Sequence, residues 1–476
     1  MNKKELKNKI PEYVFSVSEK LEEKGFQAFL VGGGVRDIIM NRSPKDYDIG
    51  TDALPEDITS LFPKAVTTAA KFGSIIVLVK DERGETIPVD VTTFRLEEEY
   101  IGGRWPSRVE FTSKIERDLA RRDFTMNAIA INLIKLAKGE KEGIFLDPYN
   151  GTEDIREGII KAVGDAEERL KEDALRALRA CRFSSVLSFR LDEKIKKAIE
   201  KIISMIDNLS AERVRDEFLK ILYDSPKPSV GLKLLKETGI LEVWIPELLE
   251  GVGVDQPEYH KYDVFKHALR TVDLADDSVK LAALFHDIAK PRKKEGSHFY
   301  GHDVLGSKMT REIMKRLKFS NKEIERVSRL VRWHMFYFPY DEDEFMKDST
   351  KKRRSKSIST WKDAAVRRFV RNVGGPEAID DLIKLRIADA TANPMSSFNA
   401  GEVEALQRRI SEVRKKDMVM KVTDLDINGD DLKKLGLESG PKFGVILSDL
   451  LELVIEDPTL NDRDKLTNIV KEKYLK

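Results

Sequence analysis

The sequence predicts an α+β protein in which a small domain with a mixed β-sheet precedes a long all-helical remainder. Apolar runs typical of strands lie at residues 29–31, 74–79 and 86–94, separated by turn-forming residues. Beyond about residue 156, apolar residues recur instead at helical spacing. The chain has 476 residues, which is enough for three or four domains.

Charge and cysteine content limit the possible classes of protein. Lys and Arg number 84 against 83 Asp and Glu, so an RNA-binding protein of this composition must concentrate its basic residues locally. The one cysteine, Cys181, excludes an internal disulfide framework. No apolar run reaches the roughly 18 residues of a spanning helix, and the N-terminus lacks a signal-peptide core. We therefore expect a cytoplasmic protein.

A glycine turn follows the first predicted strand. The strand ends at Val31, Gly32–Gly34 form a turn without Cβ atoms, and Val35–Met40 form a short helix. Backbone N–H groups at such a helix N-terminus favour a phosphate. Asp46 and Asp48 follow on a predicted strand, so both carboxylates face one side and repel each other unless a divalent cation lies between them. The pattern predicts a triphosphate and Mg²⁺ site, and an ordinary surface turn is the alternative.

Asp90 is the candidate for a third metal carboxylate. It lies in an apolar strand between Val89 and Val91. A carboxylate buried alone is costly, so it must be paired or bound to a metal ion. A surface aspartate is the alternative.

The run Gly32–Asp37, followed by Asp46 and Asp48, resembles the head motif of class II tRNA nucleotidyltransferases and bacterial poly(A) polymerases. With the motifs below, the resemblance extends over nearly the whole chain. It implies a nucleotidyltransferase head with a DNA polymerase β-like palm. It also implies nucleotide binding and metal-dependent catalysis by two groups of residues: Gly33, Gly34 and Arg36 for the nucleotide, and Asp46, Asp48 and Asp90 for Mg²⁺.

The next stretch is similar to the family's Tyr-x-Asp-x-Arg-x-Pro, a mobile loop linked to switching between incoming bases. Tyr100, Arg104 and Pro106 match this pattern. Gly102 takes the place of the aspartate, so the resemblance does not extend to the details of that switch.

Residues 118–130 are similar to the family's R-R-D-F-T-x-N-A motif. The planar guanidinium groups of Arg121 and Arg122 suit triphosphate oxygens. Asp123 and Asn127 carry the acceptors and donors that can hold a ribose 2′-hydroxyl. An exposed charged turn before a core helix is the alternative.

Residues 170–183 predict one helix with four charged residues on the same side: Glu172, Asp173, Arg176 and Arg179. They match the family's E-D-x-x-R-x-x-R, which implies that Asp173 and Arg176 act as a protein template for the base of CTP or ATP. An aspartate accepts from the exocyclic amine that C and A share, and an arginine donates to the ring. Arg182 contacts the nucleotide in relatives, although the helical wheel places it off this side. A surface helix with ion pairs is the alternative.

All six histidines lie between residues 260 and 334. Four of them, with two aspartates, follow the order H…HD…H…H…D: His267, His286, Asp287, His302, His334 and Asp389. This order resembles the HD superfamily of all-helical, metal-dependent phosphohydrolases. Mixed imidazoles and carboxylates suit one or two divalent metal ions, whose identity the sequence leaves open. His260 and His298 are interpreted as bystanders.

The resemblance implies four parts of the chain. These are a nucleotidyltransferase head (1–155), a helical neck and body with the nucleotide template and RNA contacts (156–250), an HD phosphohydrolase domain (251–392) and a tRNA-binding tail (393–476). A basic run that begins at Lys351 and continues through Arg367, Arg368 and Arg371 is a candidate RNA contact.

The implied activity is template-independent addition of CCA to the 3′ end of tRNA from CTP and ATP with Mg²⁺, with an accessory HD phosphohydrolase activity. One alternative is a poly(A) polymerase or a partial CC- or A-adding enzyme. Residues 69–74 read A-A-K-F-G-S where poly(A) polymerases have G-[RK]-[RK]-F, which favours CCA addition. A second alternative is an HD hydrolase with a passive RNA-binding head, against which the intact Asp46, Asp48 and Arg176 argue. The oligomeric state stays open.

Overall fold

A computed structural model describes residues 3–101, 105–140, 142–256, 261–296, 298–336, 361–395, 400–415 and 421–475. The chain divides into two compact units, Met1–Pro246 and Glu247–Lys476. None of the helices in the described ranges is long and apolar enough to cross a membrane.

The first unit contains the β-strands. They are β1 Phe29–Val31, β2 Asp48–Thr51, β3 Ala65–Val66, β4 Ser74–Lys80, β5 Thr86–Thr93, β6 Arg95–Ile101, β7 Trp105–Phe111, β8 Ala130–Asn132, β9 Phe145–Leu146, β10 Ile159–Ile160 and β11 Arg190–Leu191. Seven of them form one sheet in the order β3-β4-β5-β2-β1-β8-β9. Only β2 and β5 pair in parallel within it, so the predicted mixed sheet is confirmed.

The helices of the first unit surround this sheet and continue beyond it. They are α1 Lys3–Asn8, α2 Glu12–Glu22, α3 Gly33–Ile39, α4 Pro55–Leu61, α5 Ile115–Ala120, α6 Leu133–Ala137, α7 Gly151–Glu157, α8 Ala166–Glu172, α9 Leu175–Leu187, α10 Glu193–Lys201, α11 Ile203–Ile206, α12 Ala211–Asp224, α13 Pro228–Glu237 and α14 Ile240–Trp244. All three residues of β1 are buried, as expected for a strand in the middle of a covered sheet.

The parallel pair β2 and β5 brings two predicted metal ligands together. Ile49 pairs with Val91, so Asp48, the first residue of β2, lies beside Asp90 in the interior of β5. Asp46 lies in the exposed segment before β2. The expectation that Asp46 and Asp48 share a strand is therefore wrong, because the strand begins only at Asp48.

The single helix predicted for residues 170–183 is interrupted. Helix α8 ends at Glu172, Asp173 is extended (φ −144°, ψ 104°), and α9 begins at Leu175. The Asp173 carboxylate accepts a hydrogen bond from the backbone N–H of Leu175 (3.1 Å), which stabilises this turn. One helical wheel therefore does not relate the residues before Asp173 to those after it.

The second unit is helical, as predicted. Its helices are α15 Pro246–Leu249 (from the last residue of the first unit), α16 Val264–Leu274, α17 Lys280–Phe285, α18 His302–Arg316, α19 Asn321–Trp333, α20 Asp363–Val373, α21 Pro376–Ala392, α22 Ala400–Arg414, α23 Gly429–Lys434, α24 Pro441–Glu456 and α25 Arg463–Tyr474. The C-terminal helices share a core that includes Leu450, Val454 and Leu466.

Three arginines of the predicted basic run hold this C-terminal part in place. Arg367 Nη1 donates to the carbonyl of Ile455 (2.9 Å), Arg371 pairs with Glu452 (2.6 Å), and Arg368 pairs with Glu452 and Glu456. These three arginines are thus paired with carboxylates and a carbonyl of α24, and the RNA contact expected of them stays a prediction. Residues 337–360, which contain the start of the run, lie outside the described ranges.

Candidate active site

A cavity of about 670 Å³ opens in the first unit, between the sheet and helix α9. Its walls include most of the nucleotide-binding and catalytic residues predicted from the sequence: Gly33, Arg36, Asp48, Asp90, Arg121, Arg122, Asp123, Asn127, Asp173, Arg176, Arg179 and Arg182. Residues separated by up to 149 positions, from Gly33 to Arg182, therefore meet in one site.

The glycine turn allows charged groups to approach the backbone closely. Gly32 has φ +75°, and a Cβ atom on it would lie 3.1 Å from Arg122 Nη1 and 3.6 Å from Asp48 Oδ2. A Cβ on Gly34 would lie 3.0 Å from the carbonyl oxygen of Asp46. Any larger residue at Gly32 would therefore combine backbone strain with a tight contact against the arginine.

The carboxylates on and beside strands β2 and β5 form an electrostatic environment that suits a cation. Burial, with the nearby Asp90 and Asp46 carboxylates, raises the pKa of Asp48 to about 6, while Arg122 opposes this rise. Asp90 Oδ1 accepts hydrogen bonds from Ser74 (2.8 Å) and Thr92 (3.1 Å), which fix its direction. Oxygen ligands close enough to repel each other are the donor set that Mg²⁺ prefers.

Asp118 holds the two predicted triphosphate arginines. Its Oδ1 accepts from Arg121 Nε (3.0 Å) and Nη2 (2.7 Å), and its Oδ2 accepts from Arg122 Nη2 (3.1 Å). Burial raises the pKa of this carboxyl, but the two arginines outweigh burial and lower it overall. Asp118 is 2% exposed, so it serves as an internal anchor for the two guanidinium groups.

Asp123 and Asn127 form a second anchor. Arg179 donates to Asp123 Oδ2 from Nε (2.9 Å) and Nη2 (2.6 Å), and Asn127 Nδ2 donates to Oδ1 (3.1 Å). Asn127 in turn accepts from Arg36 Nη1 (3.0 Å). Burial raises the pKa of Asp123, but Arg179 and Asn127 outweigh it and the pKa falls to about 2. A ribose hydroxyl would have to share these acceptors with the protein.

Asp173 and Arg176 line the cavity and keep unused hydrogen-bonding capacity. Arg176 donates from Nη1 to the carbonyl of Arg169 (2.8 Å) and to Glu172, and from Nη2 to the carbonyl of Arg121 (3.1 Å). A guanidinium has five N–H donors, so these three bonds leave two, one on Nε and one on Nη2. Within the described ranges each Asp173 oxygen accepts one hydrogen bond, and each has a second lone pair.

Glu172 lies apart from the other predicted nucleotide contacts. It pairs with Arg169 (2.7 Å) and with Arg176, and it lines neither of the two large cavities described here. Its contacts fix the Arg176 guanidinium between α8 and α9.

Two residues of helix α12 that the sequence motifs did not indicate contact the predicted site residues. Arg213 Nη2 donates to Asp173 Oδ2 (2.7 Å), and Glu217 accepts from Arg182 Nε (2.5 Å). Burial raises the pKa of the Glu217 carboxyl, but Arg182, Arg179 and Lys220 outweigh it and lower the pKa. The signal in the sequence was their spacing: residues four apart lie on one face of a helix, so Arg213 and Glu217 face α9 together.

A second cavity of about 800 Å³ meets the first at a shared wall. Gly33, Arg36, Asp48, Arg182 and Phe183 line both cavities, and we call these five residues the shared wall. Other residues line only the second cavity, among them Gly34, Arg42, Lys45, Asp46 and Tyr223.

The six predicted HD residues meet in the second unit. His267 Nε2 lies 2.9 Å from Asp389 Oδ1, and His286 Nε2 lies 3.2 Å from Asp287 Oδ2 and 3.6 Å from Asp389 Oδ1. The other oxygen, Asp287 Oδ1, lies 3.5 Å from His302 Nε2 and 3.6 Å from His334 Nε2. Asp287 is thus shared by two groups with metal-ligand spacing: His267, His286 and Asp287, and Asp287, His302 and His334.

Three of these histidines direct Nε2 toward the other ligands, and the Nε2 atoms of His302 and His334 lie 3.3 Å apart. Their Nδ1 atoms lie against backbone carbonyls: His286 against Ala283 (2.8 Å), His302 against Phe299 (2.7 Å) and His334 against Val331 (2.7 Å). A carbonyl only accepts, so each Nδ1 carries a proton, and in the neutral tautomer of each ring Nε2 is the nitrogen with the lone pair that a metal ion can bind. This arrangement is typical of metal-binding histidines.

Buried polar atoms at the centre of this cluster have no hydrogen-bonding partner in the described ranges. They are His286 Nε2 and both oxygens of Asp287. Lys290 Nζ lies 2.7 Å from Asp287 Oδ2, which satisfies an ion-pair distance but not hydrogen-bond geometry. Burial lowers the pKa of His286, but Asp287 and Asp389 outweigh it and raise the pKa to about 10. The carboxylates that favour a proton here equally favour a metal cation, so the donor set fits a divalent metal.

The remaining histidines lie outside the cluster or outside the described ranges. His298 is exposed and stacks on Tyr300 with ring centroids 5.2 Å apart. His260 lies in the segment 257–260, which the structure does not describe. In the predicted base-switching loop, Gly102 and Arg104 also lie outside the described ranges, while Tyr100 and Pro106 pair across the β6–β7 hairpin.

Three protein families match the chain. Residues 28–161 match the "Poly A polymerase head domain", residues 188–251 the "Probable RNA and SrmB-binding site of polymerase A", and residues 259–393 the "HD domain". Both kinds of catalytic domain generally use divalent metals.

Two CCA-adding enzymes are similar to the chain along nearly all of its length. The enzyme of Leuconostoc mesenteroides is 30% identical over 454 residues, covering 95% of this chain and 94% of the relative. That of Lactobacillus helveticus is 30% identical over 475 residues, covering 96% and 95%. The crystal structure of the Bacillus stearothermophilus CCA-adding enzyme in complex with CTP superposes with a TM-score of 0.63 at 25% identity, covering 97% of both chains.

Proposed function

The chain belongs to the CCA-adding enzyme family, and from this membership we propose that it adds C, C and A to the 3′ end of tRNA from CTP and ATP. The observation that supports this most is the first cavity, which combines Asp48 and Asp90 with Asp173 and Arg176. Carboxylates for metal-assisted transfer and side chains that can pair with a base thus share one site.

The head carboxylates would hold the metal in this reaction. Asp46, Asp48 and Asp90 would bind Mg²⁺, which when bound activates the attacking hydroxyl and neutralises charge on the leaving pyrophosphate. Arg121 and Arg122, held by Asp118, would bind the triphosphate. Asp123 and Asn127 would position Arg36 and Arg179 and contact the ribose.

Asp173 and Arg176 would select the base. The exocyclic amine of C or A would donate to Asp173, and the two remaining Arg176 donors would bond to ring acceptors. U and G present a carbonyl where C and A present the amine, so Asp173 would face an acceptor and reject them. Arg182, held by Glu217, and Arg179, paired with Asp123, would contribute positive charge to the lining of the first cavity.

The second cavity would take the end of the RNA. In-line transfer requires the attacking oxygen and the leaving group on opposite sides of the α-phosphorus. Asp46 lines only the second cavity, Asp90 lines only the first, and Asp48 lines both. With the triphosphate in the first cavity, the tRNA 3′-hydroxyl would approach Asp46 and Asp48 from the second.

We assign the whole chain to four regions: head 1–155, neck and body 156–250, HD domain 251–392 and a tRNA-binding tail 393–476.

Six residues of the HD domain would hold one or two divalent metal ions: His267, His286, Asp287, His302, His334 and Asp389. Such an ion polarises a phosphoester and supplies an activated water. This centre would give an accessory phosphohydrolase activity.

Because the proposed substrate is tRNA, we propose that the protein acts in the cytoplasm.

The test is a tRNA that ends at the discriminator base, incubated with CTP and ATP separately and together. We expect two additions with CTP alone, three with both nucleotides, and no further extension. Long A tails with ATP alone would favour the poly(A) polymerase alternative. Absence of any incorporation while a phosphoester is hydrolysed would favour an HD hydrolase with a passive head.

A further inference from the structure

The ring of Phe183 is surrounded by three guanidinium groups. The Cζ atoms of Arg182, Arg36 and Arg179 lie 3.8, 5.2 and 5.4 Å from its centroid. Phe124 contacts the same ring edge-on, with centroids 5.8 Å apart and planes at 85°. Arg36 comes from α3 and the other two arginines from α9, so the ring joins elements that are far apart in the sequence.

Bringing these three charges together is electrostatically unfavourable. Arg36 and Arg182 are 9% and 8% exposed, so water screens their mutual repulsion poorly. Each arginine has one carboxylate partner: Asp37 for Arg36, Asp123 for Arg179 and Glu217 for Arg182. These partners lie on different elements, so pairing alone does not explain why the three guanidinium groups converge on one point.

An aromatic ring can attract all three guanidinium groups to one point, which the separate carboxylates cannot do. Its faces carry the negative part of the ring quadrupole, and a cation within about 6 Å of the centroid is attracted to them. Leucine would fill similar space with an apolar surface but would offer no such attraction. The chemistry of the ring, beyond its volume, therefore matters at residue 183.

The position of the ring connects it to the reaction. Phe183, Arg36 and Arg182 belong to the shared wall together with Asp48 and Gly33, and Arg179 lines the first cavity. Under the proposed function, the nucleotide's phosphates lie against this wall. Three positive charges held there would face the triphosphate.

We propose that Phe183 is a positioning residue that holds Arg36, Arg179 and Arg182 together in the shared wall, where they bind the polyphosphate of the incoming nucleotide. The ligand in this proposal, a nucleoside triphosphate, rests on the proposed function. The role of the ring rests on the contacts among the four side chains.

The test separates phosphate binding from base binding. Inorganic tripolyphosphate and the nucleoside cytidine are used as probes, each titrated into the full-length protein by calorimetry. For Phe183→Leu we expect tripolyphosphate affinity to fall roughly 5- to 30-fold, since a desolvated cation–π contact contributes about 1 to 2 kcal/mol. Cytidine affinity should stay within about twofold. Phe183→Tyr, which keeps the ring, should recover most of the tripolyphosphate affinity.

Phe218→Leu is the matched control. Phe218 is 3% exposed in α12, so this variant makes a similar change at a buried residue that lines neither cavity. It should leave both affinities unchanged. If Phe183→Leu fails to fold, 3,4,5-trifluorophenylalanine at residue 183 weakens the quadrupole at nearly constant shape and should reduce tripolyphosphate affinity in the same direction.

The proposal is overturned if Phe183→Leu behaves like Phe218→Leu, or if tripolyphosphate and cytidine lose affinity equally. Neither measurement needs turnover, so the result is independent of CCA addition. A wild-type protein that adds no nucleotide to tRNA would refute the proposed function, and selective loss of tripolyphosphate affinity in Phe183→Leu would still support the role of the ring.

Discussion

Arg213 Nη2 donates a 2.7 Å hydrogen bond to Asp173 Oδ2, which links helix α12 to the break between α8 and α9. Asp173 is the extended residue at that break and also accepts from the N–H of Leu175. Arg213 therefore fixes the direction of the carboxylate that would read the base. Its Nη1 is buried and has no hydrogen-bonding partner in the described ranges.

Replacing Arg213 with alanine should misplace this carboxylate. A hydrogen bond to a charged group contributes about 1.5 to 3 kcal/mol, so we expect kcat/KM for CTP and ATP to fall roughly 10- to 100-fold. Arg215→Ala is the matched control, because Arg215 lies on the same helix and pairs with Asp216. Steady-state kinetics with both nucleotides provide the measurement, and equal effects of the two substitutions would contradict a specific role for Arg213.

The HD centre should hold metal independently of the head. Asp287 is shared by both groups of ligands, so Asp287→Ala should lose the bound metal and at least 100-fold of phosphodiesterase activity on bis-p-nitrophenyl phosphate, while CCA addition remains. Metal content by mass spectrometry and the two activities provide the measurement. Treatment with a chelator should remove the hydrolase activity, and added divalent metal should restore it.

His298→Ala is the control for the HD centre, because His298 is exposed and stacks on Tyr300 outside the cluster. It should keep both the metal and the activity. Equal loss of CCA addition and hydrolysis in Asp287→Ala would show that the cluster has a structural role instead.

Asp123 should stabilise the first unit in a pH-dependent way. Its pKa falls from 3.8 to about 2 on folding, so its contribution is complete above about pH 5 and is lost as the pH falls through 4 toward 2. The fall of the pKa from 3.8 to about 2 corresponds to roughly 2 kcal/mol of stability. Urea denaturation should show that the free energy of unfolding of Asp123→Asn is lower than that of the wild type by about this amount or more at pH 6. At pH 3 this difference between the two proteins should be smaller by about 1 kcal/mol. A difference independent of pH would contradict the assignment.

Cys181 should report unfolding of the first unit. Burial raises the pKa of its thiol to about 12, so at pH 8 only about one molecule in 10⁴ carries the thiolate that reacts. We expect negligible labelling by a disulfide reagent in native buffer and complete labelling in denaturant. Rapid stoichiometric labelling of the native protein, with circular dichroism unchanged, would contradict the buried position of this residue in α9.

Local patterns in the sequence were sufficient for much of the fold. The strand β1 and the hairpin strands β4 and β5 depend on alternation, turn chemistry and apolar runs, and the structure confirms them, although the helix after β1 begins at Gly33 and leaves only Gly32 of the predicted glycine turn outside it. The break at Asp173 was not predictable in this way, because helical periodicity continues through residues 170–183 and the turn depends on hydrogen bonds to Leu175 and to the distant Arg213.

In the candidate site, too, residues in local motifs were predictable from the sequence, and residues that act through tertiary contacts were not. The predicted arginines and carboxylates were found through motifs, and most of them line one cavity. Asp118, Glu217 and Phe183 act through other side chains, so their importance appears only once tertiary contacts such as Glu217 with Arg182 are known. Asp46 was placed on a strand because alternation cannot show where a strand begins.

Base selection by Asp173 and Arg176 is tested most directly by the ratio of kcat/KM for CTP to that for UTP on tRNA ending at the discriminator base. A paired base edge contributes about 1 to 3 kcal/mol, so Asp173→Ala and Arg176→Ala should lower this ratio by tens of fold while addition continues. Asp46→Ala should stop addition of every nucleotide. If the Asp173 and Arg176 variants slow all four nucleotides equally and leave the ratio unchanged, these side chains do not act as a template.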